Sequence, residues 1–311
     1  MREKYDVNRY LRVRRKRTIL ATLIIFVLIP LTIFVGIKYL GDRKYLIISL
    51  LIITYTMIPF FLVFEKRKPK AREVVIIAMM SALTTCGILA CYMMIPFQAG
   101  TALVIISGIS FGPEAGFLVG SLARFCCNFF QGQGPWTPWQ MFSWGIMGFI
   151  AGLIFNKVDI DKLKSRSFQI VRGPVITILI SVLIAYCIHV KCGEGVFLGW
   201  QLYGFGALGL IFGLIIQRKR LPIDDITLSI YGFLTTFIIY GGIMNIATMV
   251  MASAIPNTGI SMSFQSLAVL YISGVPYDGV HALGTAFFMF LFGEKIIQKL
   301  ERIKIKYGIY K

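Results

Sequence analysis

A polytopic α-helical membrane protein is the fold class this sequence predicts, and three observations carry it. The 311-residue chain is 57% hydrophobic and only 15% charged, against about a quarter charged in soluble chains. Its mean hydropathy is +0.76. Three stretches contain no Asp, Glu, Lys or Arg: 40 residues from Val74 to Pro113, 32 from Phe125 to Asn156, and 52 from Ile226 to Tyr277. A helix crosses a bilayer in about 20 apolar residues, so each run holds one span or more. A soluble enzyme, a disulfide-rich secreted module and a disordered chain are excluded.

The net charge of +18 is distributed as a membrane protein distributes it. Basic residues cluster at Arg2–Arg17, Lys66–Arg72, Lys157–Arg172, Arg218–Arg220 and Lys295–Lys311. These are one set of helix ends, the pattern of cytoplasmic loops. The opposite ends hold Lys38, Arg43, Lys44 and Lys191, and Arg124 alone lies inside an apolar segment. The charge therefore reports topology and contact with the lipid bilayer, and no nucleic-acid partner is expected.

The spans follow in order: Thr18–Ile37, Tyr45–Phe64, Val74–Ile95, Thr101–Phe111, Ala115–Gln131, Trp139–Phe155, Pro174–Val190, Val196–Ile216, Ile226–Val250 and Asp278–Phe292. Ten spans with the first basic segment inside place the N- and C-termini in the cytoplasm of a multi-pass protein of the cell (plasma) membrane. Thr18–Ile37 is too long for a signal-peptide core and lacks a small-residue cleavage site, so it reads as a retained span. Thr101–Phe111 is short before Gly112-Pro113; as a helix it covers about half the hydrocarbon thickness. It must tilt, kink or stop part-way, which lipid permits only where protein covers the backbone. Ser261–Gly274, before Val275-Pro276, reads as a half-helix or surface helix leading into the last span.

One internal similarity stands out. Trp139-Gln140, with Gly145, Gly148, Gly152, Leu153 and Ile154, recurs at the same spacing as Trp200-Gln201, with Gly206, Gly209, Gly213, Leu214 and Ile215. Over a single helix, such a match reflects close packing through small residues more than a duplicated element. The cysteines, five of the six inside spans, form no C-x-x-C and serve as small hydrophobes.

No motor motif is present: there is no G-x-x-x-x-G-K-[ST], no H-E-x-x-H and no G-x-S-x-G, and the only histidines are His189 and His281. No metal site, no cofactor and no catalytic residue is implied. Candidate binding residues are the polar groups inside spans, each expensive in lipid. Arg124 and Asn128, spaced i,i+4, with Gln131 beyond them, make a polar stripe. It leads into Gly132–Gln140, read as a stiff external loop in which Gln133, Trp136, Thr137, Trp139 and Gln140 offer aromatic faces and amides to a small molecule. An interfacial aromatic belt accounts for the two tryptophans equally well. Asp278 and His281 share a helix face at i,i+3; the pair suits proton relay, but a carboxylate just after Pro276 also suits a helix N-terminus. Asn245 is a further intramembrane amide. Arg124 has two readings as well, a ligand's acidic or carbonyl group or a pairing with Asp278.

Taken together, Val74–Phe155 and Ile226–Lys299 resemble the substrate-binding S-component of energy-coupling factor (ECF) vitamin transporters. The resemblance rests on Ala78-xxx-Ala82, the run ISFGPEAGFLVG at Ile109–Gly120, and GPWTPWQ followed by Gly145, Gly148 and Gly152. Gly241–Asn245 and the ending Gly274–Gly284 complete it. GPWTPWQ and the PYDGVHALG-like ending look most like the cobalamin (corrinoid) members. The resemblance implies an all-α membrane fold with a six-helix core, from which this chain departs by four additional helices, Thr18–Phe64 ahead of the core and Pro174–Ile216 inserted within it. Residues 1–73 would carry the basic N-terminus and two extra spans, 74–156 the first four core helices, 157–225 an inserted helix pair, and 226–311 the last two core helices and a basic tail. It further implies capture of a vitamin or related micronutrient outside and release inside, without catalysis. The partners would be a membrane coupling subunit, met by Ala78 and Ala82, and two cytosolic ATPase subunits. Gln133–Gln140 would lie over the pocket. Two other classes are a stand-alone gradient-driven transporter, which needs coupling-ion ligands at mid-membrane, and an intramembrane enzyme using Asp278 and His281.

Overall fold

A computed structural model describes residues 19–32 (except 21), 35, 51, 55, 71–92, 97–155, 172–192, 200–216, 223–253 and 263–307. A first helical stretch, α1, covers 22–32 with a π-turn at Ile24–Leu28. Then come α2 (Ala71–Ala90), α3 (Gly100–Phe111), α4 (Pro113–Gln131), α5 (Trp136–Ile154), α6 (Arg172–Cys192) and α7 (Trp200–Ile216). The last two are long, α8 (Asp225–Ser253) and α9 (Phe264–Tyr307). Among the described residues, α2, α8 and α9 are long and apolar enough to cross a membrane, and shorter apolar helices lie within α3, α6 and α7. The expected span Tyr45–Phe64 lies outside the described residues apart from single positions.

The short α3 is the centre of the molecule. Every residue of it except Leu103 is buried, and α2, α4, α5 and α9 pack around it. This is the condition under which a half-length helix survives in lipid: its ends and backbone are clothed in protein. The chain leaves α3 at Gly112, whose φ of +102° suits glycine, and Pro113 opens α4 at the position where a missing N–H costs nothing. Helices α3, α4 and α5 meet through glycine. A Cβ on Gly148 would stand 2.5 Å from the Gly116 carbonyl oxygen, and one on Gly116 would stand 2.6 Å from the Gly108 Cα. Around this seam lie Phe117, Met141, Met147 and Phe149, all essentially inaccessible. Outward-facing Val75, Leu83, Leu183, Ile184 and Phe287 leave an apolar surface of the kind lipid solvates.

Helix α7 follows the small-residue reading of the repeat. A Cβ on Gly209 would meet the Ile178 Cα of α6 at 2.7 Å, so α6 and α7 approach closely, as α4 and α5 do at their own glycines.

The final helix differs from the sequence expectation. Of the expected segment Ser261–Gly274, the part from Phe264 is neither a half-helix nor a surface helix separate from the last span, because there the chain runs helically through Pro276 to Tyr307. Proline removes one hydrogen bond, and a packed membrane helix absorbs that loss. Beyond the π-turn Met289–Gly293, α9 becomes amphipathic, with Ile297 and Leu300 inward and Lys295, Lys299 and Arg302 outward. There Lys304 Nζ donates to the Ser110 carbonyl at the end of α3 (2.5 Å) and pairs with Glu301. A cation on the last carbonyls of a helix is favourable. Lys304→Met keeps the alkyl stem and strips both acceptors of this donor. A loss of about 1–3 kcal/mol is expected, read as a lower thermal midpoint in detergent, while Lys299→Met at an exposed position leaves the midpoint unchanged.

Candidate functional site

The helix α4 carries the first polar cluster into the interior. Arg124 and Asn128 fall one turn apart and are both buried. They converge on one acceptor: Arg124 Nε donates to Gln140 Oε1 at 2.8 Å, and Asn128 Nδ2 donates to the same oxygen at 2.9 Å. The guanidinium also sits 4.8 Å from the Trp144 ring centroid, a cation–π distance. Both partners are neutral. A buried guanidinium satisfied by an amide and an indole keeps its full positive charge available to an acidic or carbonyl-bearing group. The expected alternative, pairing with Asp278, is replaced by these contacts.

The polar ladder continues into the connection between α4 and α5. Asn128 Nδ2 also donates to Thr137 Oγ1 (3.1 Å), and Thr137 donates to Gln133 Oε1 (2.9 Å). Gln133 Nε2 returns to the Phe125 carbonyl (3.1 Å). This corrects the loop expectation: α5 begins at Trp136, so only Gly132–Pro135 is loop, and Thr137, Trp139 and Gln140 are helical. The helix starts early because the Thr137 hydroxyl accepts from the Gly134 N–H at 3.2 Å, tying the connection to the first turn. Trp136 is exposed, its indole on the Gly132 carbonyl at 3.3 Å. The indole nitrogen of Trp139 is buried without a hydrogen-bond partner among the described residues.

A second cluster surrounds His281, which has no exposed surface. Trp144 Nε1 donates to Thr101 Oγ1 at 3.0 Å, and Thr101 Oγ1 lies 2.8 Å from His281 Nε2. Indole nitrogen only donates, so the Thr101 oxygen accepts from it and keeps a hydrogen and a second lone pair with which to meet His281. The Gln98 amide nitrogen lies 3.5 Å from the same Nε2. These contacts engage the His281 ring through Nε2, as donor or acceptor according to its tautomer. Nδ1 has no partner among the described residues, and neither has Asn128 Oδ1. Tyr240 meets the His281 and Trp144 rings edge-on, each at 4.5 Å between centroids. It sits at the end of the π-turn Thr235–Tyr240 in α8, an irregularity frequent at functional sites.

The third cluster is Asp278 with Asn245 and Tyr203. Asp278 lies mid-helix in α9 and is buried, which corrects the helix N-terminus reading. Its Oδ2 accepts from Tyr203 Oη at 2.6 Å and from Asn245 Nδ2 at 2.9 Å. Asp278 and His281 share a helix but serve different partners, so the acid–base pair is not assembled. Among the described residues no group of three or more His, Cys, Asp or Glu is placed to hold a metal ion. Thr101, Gln98, Trp144, Tyr240 and Tyr203 join these polar clusters and are candidates that the sequence reading missed. Each is an ordinary residue of an apolar run, and only Thr101, the lone polar side chain at the start of the half-helix, offered a signal.

Apolar helices with an outward apolar surface and buried polar clusters define an α-helical membrane protein. Residues 68–198 match the family described as ECF-type riboflavin transporter, S component, so the S-component resemblance holds over α2 to α6. That family is one of transporter subunits and not of enzymes. The chain is similar to a UPF0397 protein of Aliivibrio fischeri, 34% identical over 105 residues, which is 32% of this chain and 56% of that protein. It is also similar to UPF0397 proteins of Vibrio atlanticus and Aliivibrio salmonicida, each 32% identical over 110 residues, 32% of this chain and 59% of theirs. The chain spans little more than half the length of these relatives. No solved structure matches it.

Proposed function

We propose that the protein is the membrane-embedded capture subunit of an ECF-type importer, taking a vitamin or related micronutrient from outside and releasing it inwards. The observation that carries this reading is Arg124, a buried guanidinium with neutral partners inside the family-matched stretch. Asn128, Gln140, Trp144 and His281 complete the binding wall, with Thr137 and Gln133 bracing it. The unpartnered ring nitrogen His281 Nδ1 adds a second polar point of contact for the solute. The matched family's description favours a flavin over the corrinoid suggested by the sequence endings. A flavin's ring carbonyls suit the guanidinium, and its planar surface suits the aromatic wall.

The importer's other parts would be a membrane coupling subunit and two cytosolic ATPases, consistent with a chain that carries no P-loop. Ala78 and Ala82 are exposed one turn apart on α2, the small-residue face that lets a partner helix approach closely. In this reading both termini are cytoplasmic, ten helices span the plasma membrane, and the domain division at residues 73, 156 and 225 describes the chain.

The test is ligand identification on detergent-purified protein by native mass spectrometry, followed by a thermal-shift screen of riboflavin, cobalamin, thiamine and other vitamins. One co-purifying vitamin that also raises the thermal midpoint by mass action is the expected result. No ligand and no shift, with uptake driven by a proton gradient in the absence of ATPases, would replace this reading with a secondary transporter.

A further inference from the structure

We infer that the α6–α7 helix pair is a working part of the solute site, because Tyr203 of α7 is a positioning residue that aims Asp278 at an N–H or O–H donor on the solute. The inference rests on the capture reading above for the identity of the solute, and on the following geometry for the role of Tyr203.

Tyr203 is 2% exposed, and its ring is held between two rings of the long helices. It stacks on Phe237 of α8 (centroids 5.1 Å, planes 10° apart) and on Tyr271 of α9 (4.5 Å, 29°). Beyond this slot, the apolar joint between the pair and the rest is a small cluster of Ile178, Leu210 and Ile238. Stacking alone would be served by phenylalanine. The hydroxyl adds the short bond to Asp278 Oδ2, and Asn245 brings a second donor to the same oxygen. Asn245 is itself held by its bond to the Gly241 carbonyl at 2.8 Å, and Tyr271 by its bond to the Gly242 carbonyl at 3.1 Å.

The chemistry follows from which oxygen is used. Both donors reach Oδ2, and Oδ1 accepts from neither. A carboxyl group fixed by one oxygen presents the other in a set direction, as an acceptor for N–H or O–H. Its two hydrogen-bond donors are neutral, so it is not half of an ion pair with them, and a lone acid inside a membrane protein marks a pathway or ligand contact by default. Together with the donors on Arg124, the site takes a solute with acceptors at one part and a hydrogen-bond donor at another. Tyr203 and Asp278 lie outside the family-matched stretch, so this contact belongs to features of the chain that the match does not cover.

The experiment uses the full chain in detergent with riboflavin as the probe, comparing wild type, Tyr203→Phe, Asp278→Asn and the double variant by titration and by thermal unfolding without ligand. Tyr203→Phe keeps the stacked ring and removes only the hydroxyl. The expected result is an affinity about tenfold weaker, with no further loss when the substitution is made in Asp278→Asn. 3-Methylriboflavin, which lacks the ring N–H, should bind wild type and Tyr203→Phe alike. Undiminished riboflavin affinity in Tyr203→Phe overturns the inference and leaves the capture reading intact. If wild type binds no riboflavin, the capture reading for that vitamin fails on its own. The ligand-free thermal midpoints then decide the link: non-additive losses for the two substitutions support it, and additive losses overturn it.

Discussion

Gly148→Ala is expected to be among the most destabilising single-methyl changes in the described structure. Its Cβ would stand 2.5 Å from the Gly116 carbonyl oxygen and 3.0 Å from the Gly116 Cα. Both are backbone atoms, so no rotamer change relieves the clash; α4 and α5 must separate. Separation opens the seam lined by Phe117, Met147 and Phe149 and also shifts α3, which meets the same seam at Gly108. Overpacking a tight interior costs about 1–3 kcal/mol, and here two helix interfaces bear it, so the upper end of that range is the expectation. Thermal unfolding in detergent, followed by tryptophan fluorescence and size-exclusion recovery, checks it. Gly279→Ala is the control: a Cβ there meets nothing within 4 Å, and alanine is the better helix former, so the midpoint should hold or rise. Equal midpoints for the two variants would mean that the three-helix glycine seam is not as close as described.

Arg124→Ala should abolish measurable capture of the solute, with a loss of affinity on the order of a hundredfold. The estimate follows from about 1.5–3 kcal/mol for a hydrogen bond to a charged group, together with the lost cation over Trp144. The side chain also braces Gln140, so a structural contribution must be separated from the binding one. Arg124→Lys does this: the charge stays, while the planar donor that reaches Gln140 at 2.8 Å is lost. Binding should be partly retained in Arg124→Lys, close to absent in Arg124→Ala, and the ligand-free midpoints of the two should be similar. Unchanged affinity in Arg124→Ala with a lowered midpoint would assign Arg124 to structure alone. Trp136→Phe is expected to have little effect on either measurement, because the indole is exposed and its one hydrogen bond closes on the neighbouring Gly132 carbonyl.

Arg124 and Tyr203 show how unevenly the site was legible in the sequence. Arg124 was conspicuous because a single charge in an apolar run has no cheap explanation. Asn128 followed from its helical spacing, and Gln140 was singled out with its loop. Tyr203 carried no such mark: a tyrosine in an apolar helix reads as core, and its partner Asp278 lies far along the chain. The same limit produced the errors. Asp278 after a proline suggested a helix start, since proline breaks isolated helices; in place, neighbouring helices carry the chain through Pro276. Gly132–Gln140 suggested a loop from its prolines and glycines, yet the Thr137 hydroxyl brings the helix start forward to Trp136.

The membrane class, most helix positions and the half-length of α3 were already written in composition and hydropathy. These are local quantities: burial in lipid demands about 20 apolar residues whatever their neighbours, and eleven or twelve residues before Gly112-Pro113 cover about half the hydrocarbon thickness. Which polar groups meet was decided only by packing. The glycines at 108, 116 and 148 bring three helices within backbone contact, and that approach sets Trp144 between Arg124 and Thr101. The π-turn at Thr235–Tyr240 sets Tyr240 against His281, and the fit of α7 places Tyr203 on Asp278. Hydrogen bonds between residues far apart in the chain depend on ångström-scale helix separations, and hydropathy carries no information at that scale.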